Sequence, residues 1–431
     1  MKAKEKFLKI LLTVIIIFSI ASAADLSNAR GLFEDGFFED ALKECKPIVE
    51  NNPKNAEAIF LLGRIHYNLG NLKKANDLFS KALNINNKSE WQKIAEKMRE
   101  LRTIRTEANR YESEGKYTQA IEQYKQMVAI NPKYAGAYFQ MGRIFAFRMD
   151  KPVQGAKQVQ KAIDLKPKEK EYQKLLNGII GNLLSQGLKY LKRGRSGEAV
   201  KTFSKVREID STNINGVYYT ALAYYYNSDY DNAIKIAKKI FDLREEGSKV
   251  KKAYKIIGNS HRKMNNTEKA IAAYKNAIEI DREYETAWDK LGVLYNRIDR
   301  NEQARKAFKQ VVKINPKNAS AWTNLGAVYN QLEQYDKAIK PLNKSVELKP
   351  DNYIAWYRLA VAYNETEKNK KAIKAAQNSL KYRSGWAPAL LELGKAELRS
   401  GKRSKAKIHF KQAAKSPKYE SKANFYLKKL N

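Results

Sequence analysis

Apolar residues recur at helical spacing along most of the chain, most clearly in residues 285–352. Trp288, Leu291, Gly292 and Tyr295 fall at i, i+3, i+4 and i+7, which is one face of a helix. A second apolar face follows after a few residues, and the whole pattern returns 34 residues later. The sequence therefore predicts repeated pairs of helices, each pair joined by a short turn.

Small residues and prolines fix the geometry expected of each pair. Gly292 has no side chain, so the two helices can approach closely there, with Trp288 and Tyr295 filling the space beside them. Pro316 ends the second helix because it lacks an N–H and clashes with the preceding turn. Asn318 is placed to cap the next helix. One such hairpin cannot bury its apolar face alone, so the pattern predicts a helical solenoid.

Six positions that agree across two 34-residue units resemble the signature of the tetratricopeptide repeat (TPR) family. The matching pairs are Trp288/Trp322, Leu291/Leu325, Gly292/Gly326, Tyr295/Tyr329, Ala304/Ala338 and Pro316/Pro350. The period can be followed from Ala24 to Glu420, about nine-tenths of the chain. The resemblance implies an all-α fold, a right-handed superhelix of about eleven helix-turn-helix repeats.

Irregularities in the period divide the array. Two inserts, Lys88–Glu100 and Lys170–Ile179, have helical patterns and are expected to lengthen the first helix of the repeat that follows. Pro341 lies inside a second helix, where we expect a bend or a cost of about 3 kcal/mol. We expect degenerate repeats in 24–89, repeats with helical inserts in 90–169 and 170–250, five regular repeats in 251–420, and a capping helix in 421–431 whose Phe425, Tyr426 and Leu430 face the last repeat.

Residues 1–23 resemble a cleaved secretory signal. Four lysines and a short apolar run, Ile10–Ile20, precede small residues suited to cleavage after Ala23. The alternative is an uncleaved membrane anchor through residues 7–20, although the apolar run is short for a spanning helix. We therefore expect export, to the bacterial periplasm in the first interpretation.

The formal net charge of +36 predicts an acidic partner or an anionic surface. The alternative is a lysine-rich composition that reflects a biased genome, with many lysines simply solvated. An exported protein would meet envelope polymers, so no nucleic acid is expected. The one cysteine, Cys45, excludes an intrachain disulfide and aligns with Phe79 and Phe308, so we expect it to be a buried packing residue.

No motif predicts catalysis or a cofactor. Phosphate-binding, nucleophile-elbow and zinc-protease motifs are absent from the sequence. Of the three histidines, His66 and His261 occupy the position that Tyr295 holds in its repeat, so they are expected in the core. We predict that the protein is not an enzyme and holds no metal.

In the TPR family the first helix of each repeat lines a concave groove that binds extended peptides or partner helices. Aromatic and basic side chains at these positions would suit an extended acidic peptide. The resemblance places at the groove Phe60, Arg64, Tyr67, Arg105, Asn109, Phe139, Gln140, Arg143, Tyr218, Tyr225, Tyr226, Lys255 and Asn259. The alternative is packing between repeats, which is favoured for Tyr224 and open for Tyr218 and Tyr225.

Some TPR domains clamp a C-terminal carboxylate, and Lys255 and Asn259 match the opening pair of that clamp. The remaining clamp positions hold Lys290, Ser320 and Asn324, so the clamp is incomplete. Arg105, Asn109 and Gln140 make a similar partial match.

Asn296, Asn330 and Asn364 recur at 34-residue spacing. They resemble the asparagine ladder of sugar-transferase TPR arms, which implies hydrogen bonds to a peptide backbone. The alternative is a polar residue near a helix end.

Together these observations predict an exported scaffold that binds a protein or extended peptide, with a role in assembling an envelope or secretion complex. One alternative is a basic protein that binds an anionic envelope polymer or a membrane surface. Another is a regulatory arm of a separate enzyme.

Overall fold

The computed structural model describes residues 26–243 and 247–430, and all regular elements in these ranges are helices. They are α1 (residues 26–34), α2 (Phe38–Asn51), α3 (Ala56–Asn68), α4 (Leu72–Ile85), α5 (Ser89–Ser113), α6 (Tyr117–Ile130), α7 (Ala135–Phe147), α8 (Pro152–Leu165), α9 (Lys170–Lys192), α10 (Ser196–Ile209), α11 (Ile214–Tyr226), α12 (Tyr230–Asp242), α13 (Ser248–Lys263), α14 (Thr267–Ile280), α15 (Glu285–Arg297), α16 (Asn301–Ile314), α17 (Ala319–Gln331), α18 (Tyr335–Leu348), α19 (Tyr353–Glu365), α20 (Asn369–Tyr382), α21 (Ala387–Arg399), α22 (Arg403–Ala414) and α23 (Pro417–Lys428). Pairing α1 with α2 and so on to α22 gives eleven hairpins, followed by α23. The predicted all-α solenoid is confirmed.

The two inserts lengthen helices, as predicted. α5 has 25 residues and α9 has 23, whereas α3 has 13. The predicted signal segment, residues 1–23, lies outside the described residues.

The chain forms two compact units. The first unit is made of the chain up to Lys189 together with Lys201–Ser211. The second unit is made of Tyr190–Val200 together with the chain from Thr212 onward. Within each unit, one apolar cluster spans several successive hairpins, from α3 to α7 in the first unit and from α14 to α21 in the second.

The close approach expected at Gly292 is confirmed, but a different ring fills the gap. A Cβ at Gly292 would lie 2.8 Å from the ring of Phe308, which is buried on the second helix of the same hairpin. Trp288 is only half-buried and donates its indole N–H to the carbonyl of Arg282 at 2.9 Å. The same contact between a glycine and a ring recurs at Gly63 and Phe79, Gly187 and Phe203, Gly258 and Tyr274, and Gly394 and Phe410.

Several other expectations about single residues are confirmed. Asn318 caps α17 by accepting a hydrogen bond from the N–H of Ala321 at 3.0 Å. Cys45 is fully buried, and burial raises the pKa of its thiol to about 12. Pro341 lies within α18, which continues through it to Leu348.

The last helix caps the array, but only in part as expected. The ring of Tyr426 stacks on that of Phe410 with centroids 5.0 Å apart. Leu430 also packs on this cluster. The prediction that Phe425 does the same is wrong, because 54% of its surface is exposed and it lies on the outer side of Tyr426. Ala423 takes the inward position instead.

A left-handed residue in the turn within every hairpin is a feature that the sequence pattern did not predict. Positive φ angles occur at Gly36, Gly70, Gly115, Asp150, Gly194, Ser228, Asn265, Asp299, Glu333, Glu367 and Gly401. A residue with a Cβ is strained in this conformation, by about 1–2 kcal/mol. Six of the eleven turns therefore carry strain that glycine would not.

We expect Glu333→Gly to raise the unfolding free energy by about 0.5–1 kcal/mol, because the exposed Glu333 has a φ of 55° and loses that strain. Gly115→Ala is the converse control, since its φ is 71° and no atom lies within 4 Å of the added Cβ. It should lower stability by about 1 kcal/mol. Urea unfolding followed by circular dichroism measures both, and equal effects of the same sign would contradict the assignment.

Candidate partner-binding surface

Two aromatic rings assigned to the groove are covered by the helical inserts. Phe60 is 5% exposed and stacks on Trp91 of α5 with ring centroids 4.3 Å apart. Phe139 is buried against Tyr172 of α9, with centroids 4.9 Å apart. Each covering ring comes from the extra turns of a lengthened helix. The prediction that Phe60 and Phe139 contact a partner is therefore wrong.

Arg64 and Tyr67 on α3 are half-buried. The guanidinium of Arg64 lies 4.4 Å from the ring centre of Phe33, and burial lowers the pKa of this group. Burial likewise raises the pKa of Tyr67. Arg64 thus packs on the first repeat, whereas Tyr67 packs against the apolar cluster that runs from α3 to α7.

Arg105 is exposed on α5 and held in place from two sides. Its guanidinium donates to the carbonyl of Gly70 at 3.1 Å and to the hydroxyl oxygen of Tyr134 at 3.3 Å. Asn109, one turn further along, is also exposed and accepts a hydrogen bond from the Tyr124 hydroxyl at 3.3 Å. These predicted groove residues thus share one face of α5.

Arg143 and Gln140 lie on α7, beside an acidic residue that the sequence did not single out. Glu112 of α5 forms an ion pair with Arg143 and accepts a hydrogen bond from the Tyr124 hydroxyl at 2.8 Å. Gln140 accepts from Arg143 Nε at 2.8 Å. Burial, with the hydrogen bond to Glu112 next, raises the pKa of Tyr124. Arg143 is therefore largely neutralised, and Arg105 is the more available cation.

The tyrosines of α11 differ widely in exposure. Tyr218 is only 9% exposed because Tyr219 and the Lys249 ammonium cover it, the latter 4.9 Å from its ring centre. Its assignment as a partner contact is corrected to a packing role. Tyr225 is half-buried, whereas Tyr226 is 60% exposed with its ring centre 5.4 Å from that of Tyr225. Tyr226 is therefore the accessible aromatic of this helix.

The partial carboxylate clamp lies on α13, α15 and α17. Burial lowers the pKa of Lys255, and the charges of Lys252 and Lys290 lower it further. Lys290 is paired with the adjacent Asp289 at 3.1 Å, and Asn259 accepts from the Tyr274 hydroxyl at 2.8 Å. Asn324 of α17 is half-buried. An anion beside Lys255 would relieve the unfavourable burial of its charge.

The row of asparagines links repeats to one another. Asn330 donates its amide to the carbonyl of Arg358 at 2.9 Å, which ties α17 to α19. Asn364 is fully buried and donates to the carbonyl of Glu392 at 2.9 Å and to its carboxylate at 2.7 Å. Asn296 is half-buried at the corresponding position. Asn364 therefore cannot bind a peptide, and Asn330 already uses its amide between repeats.

Sequence reasoning also missed buried charges in α21. Glu392 and Glu397 are almost fully buried, although carboxylates were expected on solvated faces. Lys395 pairs with Glu392 at 3.1 Å, and His409 with Glu397 at 2.6 Å. Their place in the otherwise apolar run of α21 was the available signal.

Of the other two histidines, only His66 is buried as expected of a core position. His66 is 5% exposed and His261 is half-buried, and burial lowers the pKa of both. Across residues 26–243 and 247–430, no group of three or more His, Cys, Asp or Glu side chains could hold a metal ion. Over the same ranges no helix is both long and apolar enough to cross a membrane.

The hairpins and their exposed helix faces define an α-solenoid of tetratricopeptide repeats, a fold in which stacked units present a broad binding surface. Family models support this class along much of the chain. Tetratricopeptide models match residues 32–98 and 108–146, and the model of the cilia and flagella-associated protein 70 C-terminal domain matches residues 220–430. The tetratricopeptide repeats are thereby confirmed.

One curated relative is TPR repeat-containing protein MJ1428 of Methanocaldococcus jannaschii. It is 24% identical over 274 residues, which cover 62% of this chain and 45% of that protein. The match thus spans less than half the length of the relative.

Two solved structures are also similar to this chain. The crystal structure of MamA protein is 26% identical, covers 40% of this chain and 94% of its own, and has a TM-score of 0.37. The C-terminal part of a TPR repeat-containing protein from Cytophaga hutchinsonii is 18% identical. The match covers 56% of this chain and 97% of that protein's chain, with a TM-score of 0.46.

The structural role of Asn364 can be tested by truncation. Asn364→Ala removes the donor to the buried Glu392 carboxylate, so we expect the unfolding free energy to fall by about 1.5–3 kcal/mol. Asn324→Ala is the control, a half-buried asparagine of α17 six positions before Asn330, the repeat equivalent of Asn364, and its expected change is within about 0.5 kcal/mol. Thermal unfolding of both variants compares them directly, and equal losses would contradict a special role for Asn364.

Proposed function

We propose that the protein is a non-enzymatic scaffold that binds a protein or extended peptide through side chains on the first helices of its repeats. The observation that carries this proposal is the exposed ring of Tyr226 beside Tyr225 on α11. A tyrosine offers a large contact area with few rotors to immobilise, and such residues are common at the centres of binding sites. Nothing in the packing of the repeat requires Tyr226 to be aromatic.

Cationic side chains on first helices of both units favour an acidic partner. Lys255 is half-buried. The charged side chains that act on its pKa are the cations Lys252 and Lys290 rather than a carboxylate. Arg105 in the first unit is exposed, and its hydrogen bonds to neutral oxygens leave its charge unneutralised. Carboxylates of a partner would form charge-assisted hydrogen bonds with such groups.

We further propose that the scaffold is exported and helps to assemble an envelope or secretion complex. The support is the sequence of residues 1–23, with its lysines, apolar run and small residues before Asp25. Sequencing the N-terminus of the protein purified from cells tests this. Export with cleavage predicts a mature chain that begins at Ala24, and an intact Met1 in a membrane fraction would favour the anchor instead.

Photocrosslinking from α11 tests the binding proposal. A photoreactive phenylalanine at position 226 should capture a specific polypeptide, whose affinity is then measured with the purified chain. Tyr226→Ala should weaken that binding by about tenfold or more, the effect of losing a central aromatic contact. Tyr382→Ala is the matched control, since Tyr382 is 42% exposed on α20, a second helix of its repeat. The photoreactive phenylalanine is also placed at position 382. Equal capture of the polypeptide from positions 226 and 382 would contradict the proposal.

A second candidate function is binding to an anionic envelope polymer or membrane surface, which the net charge of +36 favours. Ionic strength separates the two functions, because binding driven by many cations weakens steeply with salt. Partner binding through Tyr226 should persist from about 50 to about 300 mM NaCl, within about threefold. A loss of more than about a hundredfold over that range would favour the polymer.

A further inference from the structure

The cleft between α4 and α5 gathers cationic side chains beyond those that the sequence pattern placed at the groove. It has a volume of about 690 Å³ and includes Arg105 and Asn109 in its wall. A neighbouring cleft of about 410 Å³ shares Arg102 and Thr106 with it. The combined cleft is lined by Lys73, Lys74, Asn76 and Asp77 of α4 and by Arg99, Arg102, Thr103, Arg105, Thr106 and Asn109 of α5, with His66 and the turn at Gly70–Leu72 at one end.

The α4–α5 cleft is extended at one end by the insert that lengthens α5. The extra turns begin at Ser89, and Trp91 anchors them by stacking on Phe60. Arg99 belongs to this insert, and Arg102 and Arg105 follow on the same helix. The insert therefore adds a cation beyond the usual repeat and holds it opposite α4.

The cleft is strongly positive. Five cationic side chains line it, and Asp77 is the one acidic side chain among its lining residues. The ion pairs of this region join other residues, namely Lys88 to Glu57, Arg110 to Glu114 and Arg143 to Glu112.

Two further features fit an unneutralised cleft. Lys73 and Lys74 lie in the first turn of α4, where the helix dipole disfavours a cation. The charge of Lys74 adds to burial in lowering the pKa of His66 at the end of the cleft.

The length of the cleft argues for an extended ligand. Arg99 and Asn109 are ten residues apart on one helix, which corresponds to about 15 Å. An extended peptide covers that distance in about four or five residues. Thr103, Thr106 and Asn109 lie between and beyond the arginines. The two threonine hydroxyls donate to the carbonyls of Arg99 and Arg102, at 3.2 and 3.0 Å, so toward a ligand their oxygens act as acceptors. A single small anion could contact only part of this row.

We propose that the α4–α5 cleft binds an extended acidic segment of a protein, whose carboxylates lie between the lysines of α4 and the arginines of α5. Arginine pairs with carboxylates in a bidentate geometry, and the threonine and asparagine side chains can bond the peptide backbone. The inference rests on the proposed scaffold function and assigns it a second contact region, separate from Tyr226 on α11.

The test uses a fluorescein-labelled peptide with five consecutive glutamates and measures its fluorescence anisotropy with the full chain. Arg99→Gln combined with Arg102→Gln should weaken binding about tenfold, the effect of losing two exposed ion pairs. Arg282→Gln combined with Arg297→Gln removes the same charge from exposed positions on the loop before α15 and the end of α15. The affinity of this control variant for the peptide should stay within about twofold of the wild-type value, because the lost charges are exposed and screened by salt.

Three outcomes would overturn the proposal. These are absence of binding by the wild-type chain, equal weakening in both double variants, and a polyphosphate of the same charge that binds the cleft as tightly as the peptide. The first two would exclude the cleft as a specific site, and the third would assign it to a phosphate polymer. Crosslinking from position 226 is measured independently of peptide binding to the cleft. A negative result for the cleft alone therefore does not contradict the proposed scaffold function. Unchanged circular dichroism of both variants excludes misfolding, which is expected because the substituted arginines are exposed.

Discussion

The structure depends on the close approach of the two helices of a hairpin, which in several hairpins brings a glycine of the first helix against a ring of the second. Five hairpins have this contact, and in each the ring belongs to a buried Phe or Tyr. Because the ring occupies the space that a Cβ would take, the helices are held at one separation. Apolar faces then pack on neighbouring hairpins, and within each unit an apolar cluster spans several of them. The surfaces available for binding are what this packing leaves exposed.

The departures from the repeat are therefore where function can be added. The extra turns of α5 and α9 cover Phe60 and Phe139 with Trp91 and Tyr172, which removes two apolar contacts from the surface. The same turns of α5 place one additional cation, Arg99, opposite α4. In the second unit, the tyrosines of α11 leave Tyr226 exposed where Tyr218 is covered. An insert or a run of rings thus changes the surface without changing the hairpin.

The 34-residue period was sufficient to predict the helices, the count of hairpins and the lengthening of α5 and α9, because local spacing determines helix formation and pairing. It did not predict which side chains remain exposed. Burial of Phe60 depends on Trp91, a residue of the next repeat, and burial of Asn364 depends on Glu392. The left-handed turns were missed because residues such as Glu333 occupy a position where glycine would be expected. Contacts between repeats therefore limit what the sequence predicts about the site.

The contact between glycine and ring can be tested within a single helix. Gly187 and Gly178 both lie in α9, but a Cβ at Gly187 would overlap the ring of Phe203, whereas a Cβ at Gly178 would have no atom within 4 Å. Urea unfolding of Gly187→Ala should show a loss of about 1–3 kcal/mol from overpacking. Gly178→Ala should gain up to about 1 kcal/mol from helix propensity. If both substitutions stabilised the protein, the ring of Phe203 would not set the separation of the two helices, and the packing of the hairpins would need another cause.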